Sequence, residues 1–269
     1  MIRSPLGILV LSLLSLYPLQ GEASSTAIRL TSVFNNILDQ KGLKTGWGYA
    51  CLIEGMGRTV LFDTGADGDI LLDNMRRLGK DPADVDIVVI SHIHHDHIGG
   101  LDAFLTENPT VTVYVPASFP PPVREEIRWR AELVEVSGPM QIAPALFTTG
   151  ELGRSIREQA LVLKTGEGLV VVTGCAHPGI VDITRKAKEL HGGSISLVMG
   201  GFHLISASDG TIGKIIAELQ SLGVEHVAPS HCTGDGARAL FREAWGTDFL
   251  DGGLGSSIAV EGAGVKGSD

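Results

Sequence analysis

Apolar and polar positions along the chain follow two periods, and the switches between them mark the elements. Runs of strand length occupy Ala27–Asn35, Tyr49–Glu54 and Thr59–Phe62, the last two joined by a Gly55-Met56-Gly57 turn that suits a hairpin. Asp69–Leu78 changes to helical spacing, and Gly79 stops it. Val85–Ile90 and Val111–Val115 return to strand, with a short helix predicted over Gly100–Leu105 and a loop over the proline-rich Phe119–Val123. The second half repeats the pattern. Strands are predicted over Leu161–Lys164, Leu169–Thr173, Ile195–Met199, Val224–Ala228 and Ser256–Val260, and helices over Gly179–Leu190, Ile212–Leu222 and Ala237–Trp245. Hairpins and strand–helix units in both halves predict an α/β (α+β) domain over residues 24–269, two sheets face to face with helices outside.

Four of the strand-like runs lead into a histidine. Ile87–Ile90 runs to His92, Leu169–Thr173 to His177, Ile195–Met199 to His203 and Val224–Ala228 to His231. Sheet-based folds bind ligands just beyond the carboxyl ends of strands, so one shared edge for these side chains is the expectation.

Composition narrows the chemistry. The chain has 269 residues, is 43% hydrophobic and 19% charged, and has a formal net charge of -10. That composition excludes a disordered chain, and its sign argues against a nucleic-acid or anionic-membrane partner. Three cysteines (Cys51, Cys175 and Cys232) are too few for a disulfide framework. Arg3 followed by the apolar Pro5–Leu19 stretch, with Gly21 and Ala23 before Ser24, reads as a secretory signal over residues 1–23. The expectation is a secreted or periplasmic protein with no stable membrane anchor once that signal is removed.

The densest chemistry lies in Ser91-His92-Ile93-His94-His95-Asp96-His97-Ile98-Gly99-Gly100. His92 and His94, two apart on an extended segment, point the same way and suit one metal ion. Asp96 and His97 follow where the chain turns into a helix and suit a second. Imidazole with carboxylate favours Zn²⁺, and the same ligand types also suit Fe or Mn. His95 alternates away from its neighbours and reads as structural.

This His-x-His-x-Asp-His segment resembles the metallo-β-lactamase-fold superfamily, and the resemblance runs over most of the mature chain. Val60-Leu61-Phe62-Asp63-Thr64-Gly65 is similar to its strand-end motif, which implies that Asp63 supports a ligand histidine from behind. Thr173–Gly179, Gly200–Leu204 and Pro229–Gly234 resemble a narrower branch that includes the dihydropterin synthase-like proteins and many metal-dependent hydrolases. The resemblance implies a four-layer αββα sandwich with two metal ions, the first on His92, His94 and His177, the second on Asp96, His97 and His231. The superfamily's bridging aspartate has no counterpart, because Gly174-Cys175 occupies that stretch. Cys175 is therefore either a thiolate ligand or a small buried residue. His203 is either a further ligand or a substrate-facing acid, and beside two cations its ring is expected to be neutral near pH 7. The two glycines before it are expected to let substrate approach the backbone.

The functional expectation is a zinc-dependent hydrolase acting on a small molecule with an ester, lactone, amide or phosphoester-type bond. Its nucleophile is water acidified between the two ions, and Asp96 and His203 are its catalytic residues. Two alternatives stand beside it: a dihydropterin synthase-like transferase that forms a C–N bond, and a non-catalytic periplasmic metal-binding protein.

Overall fold

The computed structural model describes residues 27–262. The signal reading over residues 1–23 lies outside them. In chain order the elements are β1 (Ala27–Asn35), β2 (Tyr49–Glu54), β3 (Val60–Phe62), α1 (Gly68–Arg77), β4 (Ile87–Val89), α2 (His95–Ile98), α3 (Leu101–Glu107), β5 (Thr112–Pro116), α4 (Pro121–Arg130), β6 (Glu132–Val136), β7 (Met140–Ala143) and β8 (Leu146–Thr148). They continue with β9 (Leu161–Lys164), β10 (Leu169–Thr173), α5 (Ile180–His191), β11 (Ile195–Gly201), α6 (Asp209–Ser221), β12 (Val224–Ser230), α7 (Asp235–Trp245) and β13 (Ser257–Glu261).

The strands form two sheets. One runs β13-β1-β2-β3-β4-β5-β6 and the other β12-β11-β10-β9-β8-β7. Leu30, Phe62, Val89, Leu161, Val172 and Met199 belong to the apolar layer between them. Helices α1, α3 and α4 cover the outer face of the first sheet over Leu71, Phe104 and Ile127. Helices α5, α6 and α7 cover the second over Ile183, Leu219 and Phe241. This is the four-layer αββα sandwich, with both faces of each sheet buried, which is why its central strands read as unbroken apolar runs.

Pairing direction places the site. Strands β3 to β6 pair in parallel, as do β10, β11 and β12. Parallel neighbours end on the same side, so the residues that follow β3, β4, β10, β11 and β12 gather along one edge. Among the described residues, no helix is long and apolar enough to cross a membrane.

The proline-rich stretch departs from the expected loop. Pro121 and Pro122 occupy the first turn of α4, where a missing N–H costs nothing and the fixed φ favours helix. Strands β6, β7 and β8 are also additional to the sequence expectation. They are short and partly exposed, so no continuous apolar run announces them.

Candidate metal centre

The histidine-rich segment leaves β4 and turns into the four-residue α2, for which His94 is the N-terminal cap residue. His92 and His97 are fully buried, His94 is partly exposed, and His95 is exposed and faces away, as alternation predicts. Asp63, directly after β3, adopts a left-handed φ of 60° and organises the segment from behind. It accepts hydrogen bonds from the Ser91 backbone N–H (2.6 Å) and the Ser91 hydroxyl (2.7 Å), and its Oδ2 lies 2.6 Å from His97 Nδ1. The Ser91 oxygen is in turn 2.9 Å from His92 Nδ1. One buried carboxylate thus orients two imidazoles, His97 directly and His92 through Ser91.

The same device recurs in the second half with residues the sequence did not single out. Glu158 is fully buried and accepts from the backbone N–H groups of Cys175 (2.9 Å), Ala176 (2.8 Å) and His177 (2.9 Å). Its Oε2 also holds His177 Nδ1 at 2.8 Å. Asn36, just after β1, places Oδ1 2.9 Å from His231 Nδ1. Neither residue sits in a recognisable motif, so only the fold identifies them.

A common tautomer follows. His92, His97, His177 and His231 each present Nδ1 to an oxygen acceptor, which puts the proton there and leaves the Nε2 lone pair free. His97 Nε2 lies 3.1 Å from Cys175 Sγ and 3.6 Å from Asp96 Oδ2. His231 Nε2 lies 3.3 Å from the same Asp96 oxygen, is buried, and has no hydrogen-bond partner. His92 Nε2 is 3.1 Å from His94 Nδ1. The donor atoms fall into two sets, Asp96, His97, Cys175 and His231, and His92, Cys175 and His177, each with its atoms within 4.8 Å of one another. His94 adjoins the second set through His92, with its ring centroid 4.8 Å from that of His177.

These sets fit divalent ions. Bonds of about 2.1 Å in a tetrahedral shell put neighbouring donors roughly 3.4 Å apart, and the separations above bracket that value. A buried Nε2 lone pair without a partner, as on His231, is also what a ligand-to-be presents. Cys175 Sγ belongs to both sets and lies where the resemblance calls for a bridging carboxylate. Cys175 is buried, as one sequence reading has it, and its sulfur lies within reach of both donor sets, as the other requires. Gly174 makes this approach possible: a side chain there would meet Ser91 Oγ at 2.1 Å and Asp63 Oδ2 at 2.9 Å.

Electrostatics agree with the donor geometry. Burial first, and then repulsion from neighbouring imidazoles, lowers His92 and His97 to about 3, so both are neutral at pH 7. Burial raises Asp63 to about 7 in the polypeptide alone, against the pull of His92 and the Ser91 hydrogen bonds. Burial also works against ionisation of Glu158 and Asp96, but there the partners prevail. His177 and its backbone N–H bring Glu158 down to about 2, while His231 and His97 hold Asp96 well below the usual carboxylate range.

His203 stands apart from the two sets. It is exposed at the rim, its ring centroid is 4.4 Å from that of His177, and it has a left-handed φ of 53°. The Cys232 thiol beside it raises its pKa, opposite in sign to the effect of the ions alone. The preceding glycines serve packing rather than substrate access. Side chains at Gly200 and Gly201 would meet Thr173 O at 2.0 Å and Gly174 O at 2.4 Å.

Comparison with known proteins places this architecture. The family model of the metallo-beta-lactamase superfamily matches residues 47–190, more than half of the chain. The chain is 29% identical over 252 residues to the 7,8-dihydropterin-6-methyl-4-(beta-D-ribofuranosyl)-aminobenzene-5'-phosphate synthase of Methanocaldococcus jannaschii, covering 75% of this chain and 86% of that protein. Among solved structures it is similar to Tm1679, a metal-dependent hydrolase of the beta-lactamase superfamily, at 30% identity and a TM-score of 0.71, covering 87% of this chain and 99% of that one. YhfI from Bacillus subtilis, a metallo-beta-lactamase fold protein at 15% identity, shares the fold with a TM-score of 0.64 over 87% of this chain and 99% of its own. A family match over more than half its length, together with a relative aligned almost end to end, means that the chain belongs to the metallo-beta-lactamase superfamily.

Proposed function

We propose that the chain is a hydrolase that works with two zinc ions on a small molecule carrying an ester, lactone, amide or phosphoester-type bond. One observation carries the reading: four imidazoles are pinned through Nδ1 so that their Nε2 atoms converge, with Asp96 and Cys175, along one edge of the two sheets. His92, His94, His177 and Cys175 would hold one ion, and Asp96, His97, His231 and Cys175 the other. When bound, such ions supply Lewis acidity and acidify water near neutral pH. Fixed tautomers and buried outer partners mean that little reorganisation is needed on binding.

The chain's own residues divide the remaining work. The Asp96 carboxylate, set by His97 and His231, orients the attacking water and accepts its proton. His203, exposed at the rim, donates a proton to the departing group. Trp47 is half exposed with its ring centroid 5.0 Å from that of His231, and offers substrate an apolar wall beside the donors. Export through the 1–23 segment would place this activity in a secreted or periplasmic setting.

The test is metal analysis of the purified protein followed by assay of the metal-loaded form against chromogenic esters, lactones, phosphodiesters and a β-lactam. About two zinc equivalents per chain are expected, with turnover of one bond class that a chelator abolishes. Absence of any bound transition metal, before or after reloading, would refute the reading. A second reading, a synthase joining a reduced pterin to a ribosyl-aminobenzene phosphate, rests on the similarity to the archaeal synthase over three quarters of the chain. Product formation from those two substrates, with no hydrolysis across the panel, would favour it.

A further inference from the structure

A third group of donors lies beside the two sets and shares Cys175 with them, while its other two members, His203 and Cys232, belong to neither. Cys175 Sγ, Cys232 Sγ and a ring nitrogen of His203 all lie within 4.8 Å of one another. We propose that these three side chains form a separate site for a thiophilic monovalent cation of the Cu(I) type, and that its occupation draws Cys175 away from the two divalent sets.

The site is built by the backbone rather than left by chance. The Leu204 and Ile205 N–H groups both donate to the Cys232 carbonyl at 3.2 Å, and the Phe202 N–H donates to Thr233 Oγ1 at 3.0 Å. These bonds clip the loop after β11 to the loop after β12, so His203 and Cys232 face each other. His203 and its neighbour across the clip, His231, both hold left-handed φ values (53° and 49°), which non-glycine residues keep only where surrounding contacts enforce them. Gly201 leaves room for the sulfur: a Cβ there would lie 2.7 Å from Cys232 Sγ. Cys232 itself is buried, its thiol lies 3.7 Å from the Cys175 carbonyl, and its sulfur faces the Cys175 sulfur and the His203 ring. Left-handed backbone and a glycine together hold the sulfur in that position.

Donor chemistry selects the occupant. Two sulfurs and one imidazole form a soft set, which prefers Cu(I) or zinc to magnesium, calcium or manganese. The divalent sets are richer in imidazole and carboxylate, so a monovalent soft ion discriminates between the sites. His203 is exposed, which gives the ion a route of entry from solvent. Because Cys175 belongs to all three groups, an ion held by Cys232 and His203 competes for it.

The test is anaerobic titration of the reduced, divalent-loaded protein against a chromogenic Cu(I) chelator, with released divalent ion counted in the same samples. One Cu(I) per chain and release of divalent ion are expected. His203→Ala changes an exposed residue and should weaken Cu(I) by at least the roughly 10–100-fold that loss of an outer partner costs a metal site. Cys232→Ala should weaken it further, with the melting temperature measured alongside to show that the variant is folded, while Asp96→Asn should not weaken Cu(I) binding, because a loosened divalent set competes less for Cys175. Unchanged affinity in both His203→Ala and Cys232→Ala would overturn the site. An equal loss in Asp96→Asn would place Cu(I) in the divalent sets instead, and binding without release would overturn the sharing of Cys175. The divalent ion content of the starting protein tests the two-zinc reading separately.

Discussion

The two halves of the molecule furnish the candidate centre by different means. The first half delivers His92, His94, Asp96 and His97 from one continuous segment behind β4, with Asp63 as its single buried organiser. The second delivers Cys175, His177, His203 and His231 from the ends of three parallel strands, with Glu158 gathering three backbone N–H groups and an imidazole. Left-handed backbone recurs in the second half at Ala176, His203 and His231, whereas in the first it is confined, glycines aside, to Asp63. A contiguous cluster needs only local spacing to converge. A scattered one needs sheet register, and its loops must bend sharply at the strand ends to bring side chains back over the edge.

The largest expected effect separates the halves by role. Asp96→Ala should abolish turnover while leaving at least one divalent ion bound, since His92, His94, His177 and Cys175 remain. Steady-state kinetics with elemental analysis checks this, and retained activity would assign proton abstraction elsewhere. His203→Ala should lower kcat/KM by roughly 10²–10⁴-fold as loss of a general acid, and less for substrates with good leaving groups. The Asp96 defect should show no such rescue, and equal rescue in both variants would erase the division of labour.

Stability offers the next comparison. Glu158→Ala strands two buried backbone N–H groups and, on the partly buried His177, a third backbone N–H and an imidazole N–H. Asp63→Ala strands one backbone N–H, a hydroxyl and an imidazole N–H. At about 1–3 kcal/mol for each unsatisfied buried group, both variants are severely destabilised and Glu158→Ala is the worse. Denaturant unfolding of the metal-free proteins measures the order, and the reverse order would make the first-half organiser dominant.

The smallest effect is the pH dependence of metal-free stability. His92 and His97 have folded pKa values near 3, below the unfolded value of 6.5, so they stabilise the fold above 6.5 and that contribution fades as pH falls toward 3. Asp63, raised to about 7 from 3.8, acts in the opposite direction and loses its contribution as pH rises to 7. Between these limits the unfolded chain holds two extra imidazole protons against one carboxyl proton retained by the fold. Across these three groups the slope is about one proton, or about 1.4 kcal/mol of stability lost per pH unit of acidification from 6.5 to 4, and the lowered His94 imidazole and Cys232 thiol steepen it. Glu158, lowered to about 2, adds to the loss below 4.5. Flat stability from pH 6.5 to 4 would mean that Asp63 offsets both imidazoles within the first half.

Much of this was legible in order along the chain. Strands β1, β2, β9 and β10 fall at the predicted boundaries: β2, β9 and β10 are buried almost throughout and read as apolar runs, while β1 alternates apolar and polar residues at its start, where one face is exposed. The cluster around His92 was legible for the same local reason, as was Asp63 at its strand end. Helix α4 was not, because prolines that start a helix look the same in sequence as prolines that prevent one. Glu158 and Asn36 were not either. Each is one of several consecutive polar residues beside a strand, and nothing in its neighbourhood says that it, rather than an adjacent polar residue, will be set against an imidazole from another loop.

The sequence by itself determined the donor types, their strand-end positions and the superfamily resemblance, since these depend on composition and on periodicities of a few residues. Tertiary structure brought Cys175 within reach of both donor sets that the resemblance had implied, because that depends on how two sheets align across a common apolar layer. It also turned the glycines before His203 from a presumed substrate opening into a packing requirement. Distances between loops from separate strands are set by sheet register and inter-sheet packing, and no local pattern along the chain encodes them.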